Sequence, residues 1–482
     1  MLWLAVHLPR LSIDLVSRAL PEPASQPLVI SEGPVQRRRV QAVNEPARAL
    51  GIQIGMGLSA AQALCADLLI QARQPDAEQQ ALQHLAACLY RVSAEVCLSG
   101  NPSTGNHGVL LEAWASRRLF GGGQQILEQV RSILGELGFL AQIGLAPTPA
   151  GAELAARMGD GVHALSRHAL LRLLEQAPLG LSDLSPDAQQ LLSGSGSRYL
   201  GAVLKLPRDA LARRITAADL NYLDRLSGQC ADRRPLYQPP ARFEQRLELP
   251  ALLSSTEQMR FPIRRLLGDL AAFLLGRDAG VQRFHLRFAH EDAPASQLQV
   301  GLLQVERDRL VLFELVEERL QRFELPAAVH EISLHAHELQ AFAADQSDLL
   351  SDTRNVQDSP ERLLERLRAR LGEQAIQALE PQADYRPEHA QRLRPASTNT
   401  RADAALPAAL GKRPSWLLAT PQPIAPEALH LLSGPERIES GWWDGFDCRR
   451  DYYIAEDPHL RQVWVFKTPG PSGGWFIHGV FG

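Results

Sequence analysis

The chain has 482 residues, 45% hydrophobic and 22% charged, which is enough for three or four domains of about 100–150 residues each. Its formal net charge of −4 excludes a global cationic field for nucleic acid, so DNA contact would have to come from local arginines or backbone amides. The cysteines form no CxxC pair, which argues against a zinc module or a disulfide framework.

The first 160 residues alternate strand and helix signals. The apolar run Leu2–Leu8 ends at Pro9, far short of the roughly 20 residues of a membrane span, and predicts a buried strand. No signal-peptide cleavage pattern follows it, so we expect a cytoplasmic protein without membrane association. Apolar spacing predicts helices at Leu58–Leu69 and Glu78–Val96, and strands at Gly108–Ala113 and Leu140–Leu145. We therefore expect an α/β domain over 1–160, with a subdomain at about 17–75.

The rest of the chain divides by composition and periodicity. Residues 161–238 show helix and turn signals, and 239–345 predict an α+β domain whose antiparallel strands alternate apolar and polar residues. Residues 346–412 are polar and predict a linker with an amphipathic helix near Pro360–Leu379. Residues 413–482 hold five of the seven tryptophans and predict a small β-containing domain. The fold class expected is multidomain α+β.

The segment Asn44–Met56 reads NEPARALGIQIGM. It resembles the fingers motif of the Y-family translesion DNA polymerases, Asn-Tyr-x-Ala-Arg-x-x-Gly-Val-x-x-Gly-Met, which lies over the incoming nucleotide. Later family features have counterparts in the same order at Gly108–Glu112, Ile143–Pro147 and Leu200–Pro207. The resemblance covers roughly residues 1–345. It implies a right hand of palm and fingers, helical thumb and little finger.

Phosphoryl transfer by two divalent cations needs clustered carboxylates. Active Y-family members supply an Asp on the first strand and an Asp-Glu pair before the second. Alignment of the strands places His7 at the first position and His107-Gly108 at the pair. The resemblance therefore implies a polymerase-like protein that is not an enzyme and has no metal or cofactor.

The nucleotide-handling residues of the family are also altered. The fingers Tyr corresponds to Glu45, the sugar-gating aromatic to Ser12, and the triphosphate-pairing Lys to Glu153. A carboxylate in place of that Lys repels a triphosphate. Arg48 alone remains as a remnant of the nucleotide site.

Two alternatives compete with this interpretation. His7 and His107 could form a new zinc site, because imidazole suits zinc, although no third ligand is evident. An active polymerase could instead use relocated acids such as Asp14, Glu112 or Asp67, which would require at least two converging carboxylates.

The C-terminal region resembles the tail of the ImuB type, a non-catalytic subset of Y-family relatives in bacterial mutagenesis cassettes. The motifs that carry this resemblance are Arg413–Leu418, Gly434–Ile438, Gly441–Trp443, Arg450–Tyr453 and Trp475–Phe481. It implies a non-catalytic adaptor that recruits an error-prone replicative-type DNA polymerase and an ImuA-like, RecA-related protein. Candidate partner-binding residues are Trp442, Trp443, Trp475 and Phe476, and the alternative is that such aromatics form the domain core.

The segment Gln346-Ser347-Asp348-Leu349-Leu350 resembles the Gln-x-x-Leu-Phe motif by which bacterial polymerases bind the DNA sliding clamp. Gln would fix the register by hydrogen bonds, while the two leucines fill an apolar pocket. The alternative is that this segment begins a short helix. The protein would then be a DNA-damage binder that does not contact the clamp.

We expect DNA binding to be weak and strongly salt-dependent, because acids offset the arginines of the third domain. A thumb hairpin at Gly194, Gly196 and Arg198 could present backbone N–H groups to a phosphate. Arg264 and Arg265 are candidate DNA contacts in the third domain.

Overall fold

The structure is a computed structural model that describes residues 1–20, 26–34, 37–101, 106–342, 360–372, 375–395, 412–470 and 473–482. The chain divides into two compact units, Met1–Thr353 and Arg354–Gly482. Within the described ranges, no helix has both the length and the apolar character needed to cross a membrane.

The first 163 residues form two sheets with helices between their strands. The strands are β1 (Trp3–His7), β2 (Leu28–Glu32), β3 (Arg39–Val43), β4 (Leu69–Ala72), β5 (Val96–Asn101), β6 (Asn106–Glu112), β7 (Gln142–Ala146) and β8 (Val162–His163). The helices are α1 (Leu11–Ser17), α2 (Glu45–Ala49), α3 (Leu58–Leu64), α4 (Pro75–Leu89), α5 (Gly123–Leu137) and α6 (Pro149–Met158). The larger sheet has the order β5-β6-β1-β7-β8, and the smaller one β3-β2-β4.

The predicted strands β1, β6 and β7 are confirmed, and the two predicted helices are shorter than expected. The helix expected to reach Val96 ends at Leu89, because Val96 pairs with Leu111 at the start of β5. The helix expected to reach Leu69 ends at Leu64, and Leu69 begins β4 beside β2. A short buried strand has the same apolar content as a helix turn, so periodicity alone cannot separate them.

The helices predicted within 161–238 lie between residues 167 and 227, whereas Val162–His163 forms β8 and residues 228–238 form neither helix nor strand. The helices are α7 (Arg167–Gln176), α8 (Pro186–Gly194), α9 (Leu200–Leu204), α10 (Arg208–Ala212) and α11 (Ala217–Ser227). Ser166, Ser185 and Thr216 each accept a backbone N–H bond at a helix start, which satisfies donors left free by the first turn. The buried residues of these helices join those of α6 in one core.

Residues 243–341, called the third segment below, form the predicted antiparallel sheet with helices on one face. Its elements are β9 (Phe243–Leu253), α12 (Thr256–Arg277), β10 (Ala279–His290), β11 (Ser296–Glu306), α13 (Arg309–Leu320), β12 (Val329–Ala336) and β13 (Leu339–Ala341). The strand order is β11-β10-β12-β9. Phe284, Leu286 and Phe288 are buried on the inner face, so the residues between them lie on the opposite, open face.

The second unit contains a helix, a hairpin and a five-stranded sheet. Its elements are α14 (Pro360–Leu371), β14 (Gln377–Pro381), β15 (Gln391–Pro395), β16 (Trp416–Ile424), β17 (His430–Ser440), β18 (Cys448–Glu456), β19 (Gln462–Lys467) and β20 (Trp475–Val480). The helix expected to reach Leu379 ends at Leu371, and Gln377 begins the β14–β15 hairpin instead. Arg386 lies between the hairpin strands and forms a 2.6 Å ion pair with Asp444, next to the sheet.

Candidate functional site

Strand register brings together the three residues that align with the carboxylate positions of the Y-family polymerases. His7, at the end of β1, lies opposite Gly108 of β6 in the antiparallel pair, and His107 is the next residue. His7 is half-buried. Burial, aided by the positive charge of Arg157, lowers the pKa of His7 to about 4. The imidazole is therefore neutral at physiological pH.

His107 is held by an acidic residue that the sequence interpretation missed. Its Nε2 lies 3.3 Å from Oε2 of Glu78 on α4, and both side chains are buried. Glu78 also accepts hydrogen bonds from Ser12 at 2.5 Å and from Arg73 at 2.9 Å. Burial opposes ionisation of Glu78, but the bonds from His107, Arg73 and Ser12 prevail and lower its pKa to about 2. The Glu78 carboxylate is thus ionised and contacts His107, Arg73 and Ser12.

Gly108 has no room for a side chain. A Cβ atom at this position would lie 2.7 Å from the backbone oxygen of Val6, closer than carbon and oxygen can approach without a backbone shift. A carboxylate at this position would therefore require β1 and β6 to move apart.

Glu153, at the position of the expected triphosphate-binding Lys, is buried on α6. It accepts hydrogen bonds from Ser99 at 2.5 Å and from Arg234 at 3.0 Å. Burial raises the pKa of Glu153, and the charge of Arg234 acts against that rise. The cavity that Glu153 shares with His7, Ser99 and His107 has a volume of about 10 Å³, which holds about one water molecule.

The backbone of residues 44–56 explains why the fingers-like motif has an asparagine and two glycines. Asn44 accepts N–H bonds from Ala47 and Leu28 through its side-chain oxygen, which caps α2 and joins it to β2. Gly51 and Gly55 both have φ of +86°, a conformation that favours glycine. Arg48 is exposed and pairs with Glu45 one helical turn away at 3.4 Å. Such exposed pairs contribute little to stability.

The acids considered for a relocated metal site do not converge. Glu112 accepts backbone N–H bonds from Leu2, Trp114 and Ala115 at the end of β6 remote from His7. Asp14 is buried in α1 and accepts the N–H of Leu140, and burial raises its pKa to about 6. Asp67 is exposed. In the part of the chain that the structure describes, the one convergent group of three metal-ligating side chains lies elsewhere, in the third segment.

The candidate DNA-binding residues occupy different environments. Gly194 ends α8, Gly196 has φ of +90°, and Arg198 is exposed after the turn. Arg264 is exposed on α12, and its guanidinium lies 5.5 Å from the centre of the Phe313 ring. Arg265 is half-buried and donates to the backbone oxygen of Glu136 at 3.1 Å. The side chain of Arg265 is thus engaged in an internal contact with α5.

The candidate partner-binding aromatics fall into two groups. Trp442 and Trp443 are 79% and 58% exposed, and their rings form an edge-to-face pair at 5.6 Å. Trp475 and Phe476 on β20 are half-buried and pack against the sheet core. Phe446 is also exposed. The sequence did not predict it as a partner-binding residue. The clamp-like segment 346–350 lies outside the described residues.

Known proteins resemble this chain over most of its length. Residues 13–157 match the impB/mucB/samB family. The chain is 27% identical over 464 residues to "Protein ImuB" of Caulobacter vibrioides, in strain NA1000 / CB15N and in strain ATCC 19089 / CIP 103742 / CB 15 alike. Each alignment covers 90% of this chain and 100% of the relative.

Two solved structures are reported for their similarity to this chain. An insertion ternary complex of Dbh DNA polymerase has a TM-score of 0.41 and 15% identity, over 70% of this chain and 98% of the polymerase. DinB from Sulfolobus solfataricus has a TM-score of 0.40 and 15% identity, over 71% of this chain and 100% of DinB.

Proposed function

We propose that this chain, which carries a Y-family domain at residues 13–157 and is related to ImuB over 90% of its length, is a non-catalytic adaptor in DNA-damage-induced mutagenesis. In the cytoplasm it docks on the DNA sliding clamp, recruits an error-prone replicative-type polymerase and an ImuA-like RecA-related protein, and contacts DNA weakly. The relationship to ImuB supports the general role in mutagenesis. The more specific adaptor role is supported by the site around His7, the Gln346–Leu350 segment and the exposed pair Trp442–Trp443.

The site around His7 is the observation that carries the proposal. A two-metal mechanism needs carboxylate oxygens that bridge both cations, and the three aligned positions hold two histidines and a glycine. Glu78 and Glu153, the buried acids nearest to these positions, are engaged by Arg73 and Arg234. The cavity between His7, His107 and Glu153 has a volume of about 10 Å³, which holds about one water molecule.

Two further features support recruitment. The Gln346–Leu350 segment has the residue types of a clamp-binding peptide, a glutamine followed by two adjacent leucines. In the second unit, the exposed pair Trp442–Trp443 presents a large apolar area to solvent, and such aromatics dominate the energetics of protein interfaces.

A primer-extension assay tests the absence of catalysis. The purified full chain and a Glu112→Gln variant are incubated with primed template, deoxynucleotides and Mg²⁺ or Mn²⁺. We expect no incorporation by either protein. Incorporation by the unmodified chain that the isosteric variant loses would overturn the proposal in favour of an active polymerase with relocated ligands. Equal incorporation by both proteins, retained after immunodepletion of host polymerases, would also overturn it.

A further inference from the structure

A His-x-His sequence spans the end of strand β12, with His337 one residue beyond Ala336. His335 and His337 are two residues apart, so in an extended chain both side chains project from the same face of the sheet. The antiparallel register places His335 directly opposite Glu244 of β9. Side chains of directly opposed residues share a face and lie close together. The strand register therefore gathers two imidazoles and one carboxylate.

The distances within this group suit a metal ion. One ligand atom from each of Glu244, His335 and His337 lies within 4.8 Å of the others. Tetrahedral zinc with bonds of about 2.0–2.2 Å holds its ligand atoms about 3.4 Å apart. Small rotations of the side chains, two of which are exposed, close the remaining difference.

The group lies on the open face of the third-segment sheet. Its strand neighbours Phe243, Leu334 and Ala336 are buried on the inner face, which places Glu244, His335 and His337 on the other side. Glu244 and His337 are exposed, and His335 is half-buried. An ion from solvent therefore has direct access to all three ligands.

Neighbouring polar groups orient the ligands. The Nε2 atom of His335 lies 3.0 Å from the Ser333 hydroxyl, and Nδ1 of His337 lies 3.7 Å from Oε1 of Glu244. His285 of β10 is the cross-strand partner of His335 on its other side. The Nδ1 atom of His285 is shielded from solvent and has no hydrogen-bond partner among the described residues. The contact with Ser333 fixes the ring orientation of His335, as second contacts do at metal sites.

One neighbouring cation also contacts the group. Arg242 competes for Glu244, since its Nε lies 3.2 Å from Oε1 of that residue, but both side chains are substantially exposed. An exposed pair of this kind is weak and yields to a divalent ion.

We propose that Glu244, His335 and His337 form a Zn²⁺ site on the open face of this sheet, with at least one coordination position left for water or another oxygen donor. Two imidazoles and one carboxylate form a ligand set that suits zinc, whereas Mg²⁺ and Ca²⁺ prefer oxygen ligands throughout. The site is separate from the His7 region, and its ligands come from β9 and the end of β12.

Zinc titration of the full chain tests the site. All proteins carry Cys65→Ser and Cys230→Ser, because those two thiols are at least partly exposed and bind zinc themselves. After treatment with chelator, each protein is titrated with Zn²⁺ by isothermal titration calorimetry. The variants are His337→Asn and the isosteric Glu244→Gln. The matched control is His330→Asn, because His330 is exposed on the same strand but does not belong to the group.

We expect one Zn²⁺ per chain with micromolar or tighter affinity. His337→Asn and Glu244→Gln should each weaken binding by about tenfold or more, as loss of a ligand does, whereas His330→Asn should leave it unchanged. Urea unfolding of each metal-free variant verifies that the fold is retained. Absence of micromolar binding, or an affinity that neither ligand variant changes, would refute the site. An equal loss in His330→Asn would refute it as well.

Discussion

Arg18 and Asp269, which are 251 positions apart in sequence, form a buried ion pair. One terminal nitrogen of Arg18 lies 2.6 Å from both carboxylate oxygens of Asp269, and the two side chains are 7% and 6% exposed. Arg18 follows α1 and Asp269 lies on α12. The pair thus joins the first and third segments of the first compact unit.

Removal of one partner of this pair should destabilise the chain. We expect Asp269→Ala to lower the free energy of unfolding by about 3 kcal/mol or more, because it leaves the guanidinium buried without a counter-charge. The control is Lys205→Ala, which breaks the exposed 3.7 Å pair with Glu175 and should cost less than about 1 kcal/mol. Urea denaturation measures both. Equal effects of the two substitutions would contradict this role of Asp269.

The tight contact at Gly108 predicts that the aligned acid cannot simply be restored. Gly108→Ala should cost about 1–3 kcal/mol, because its Cβ would lie 2.7 Å from the oxygen of Val6 and the strands must shift. Gly135→Ala is the control, since that helical glycine has no atom within 4 Å of an added Cβ and should stabilise by up to about 1 kcal/mol. Thermal unfolding distinguishes the two. If Gly108→Ala left the melting temperature unchanged, the two strands would separate without an energetic cost.

Acid should destabilise the chain through His7. Its pKa is lowered from 6.5 to about 4, so between these values the unfolded chain binds a proton that the folded chain does not. The contribution of neutral His7 is therefore present near pH 7 and is lost as pH falls from about 6.5 towards 4. Between pH 7 and pH 5 the loss is about 1–2 kcal/mol.

The His7→Asn variant isolates this effect. Asp14, whose pKa is raised to about 6, contributes with the opposite sign, and His84, whose pKa is lowered to about 4, contributes with the same sign. Both contributions cancel when the variant is compared with the parent chain by urea unfolding at pH 7 and pH 5. The variant should show the smaller decline, and the exposed His168→Asn control should match the parent. Equal declines in all three proteins would contradict a neutral His7.

The clamp-like segment can be tested without reference to its conformation. Gln346→Ala, Leu349→Ala and Leu350→Ala together should weaken binding to the sliding clamp at least about tenfold, because they remove the register-setting amide and both apolar anchors. Ser347→Ala with Asp348→Ala is the matched control and should bind as the parent chain does. Surface plasmon resonance on immobilised clamp provides the affinities. Unchanged binding by the triple variant would remove this segment from the proposal.

The exposed tryptophans should matter for partners and not for stability. Trp442→Ala with Trp443→Ala should leave the melting temperature within a few degrees of the parent, since the two rings are largely exposed. The double variant should lose co-purification with the polymerase or the RecA-related partner. Trp464→Ala, which removes a buried ring stacked on Tyr452 at 4.0 Å, should instead cost about 3–5 kcal/mol. If the double variant still bound both partners, Trp442 and Trp443 would not be partner-binding residues.

The sequence by itself determined the features that depend on local patterns. Alternation and short apolar runs located β1, β6 and β7, and the positive φ of Gly51 and Gly55 explains why the fingers-like motif needs glycine there. Local patterns failed where two kinds of element share them. Val96 lies in a strand because β6 is available to pair with it, and no feature of residues 90–97 alone reveals that neighbour.

Only the tertiary structure decided which side chains meet. Glu78 reaches His107 from a helix, Arg234 reaches Glu153 from the segment after α11, and Glu244 lies opposite His335 through strand register. Each pairing depends on packing and register between segments distant in sequence, and a shift of one residue in a strand would turn the side chains to the opposite face. The sequence identified the residues at the aligned positions, whereas the chain's packing determines what those residues contact.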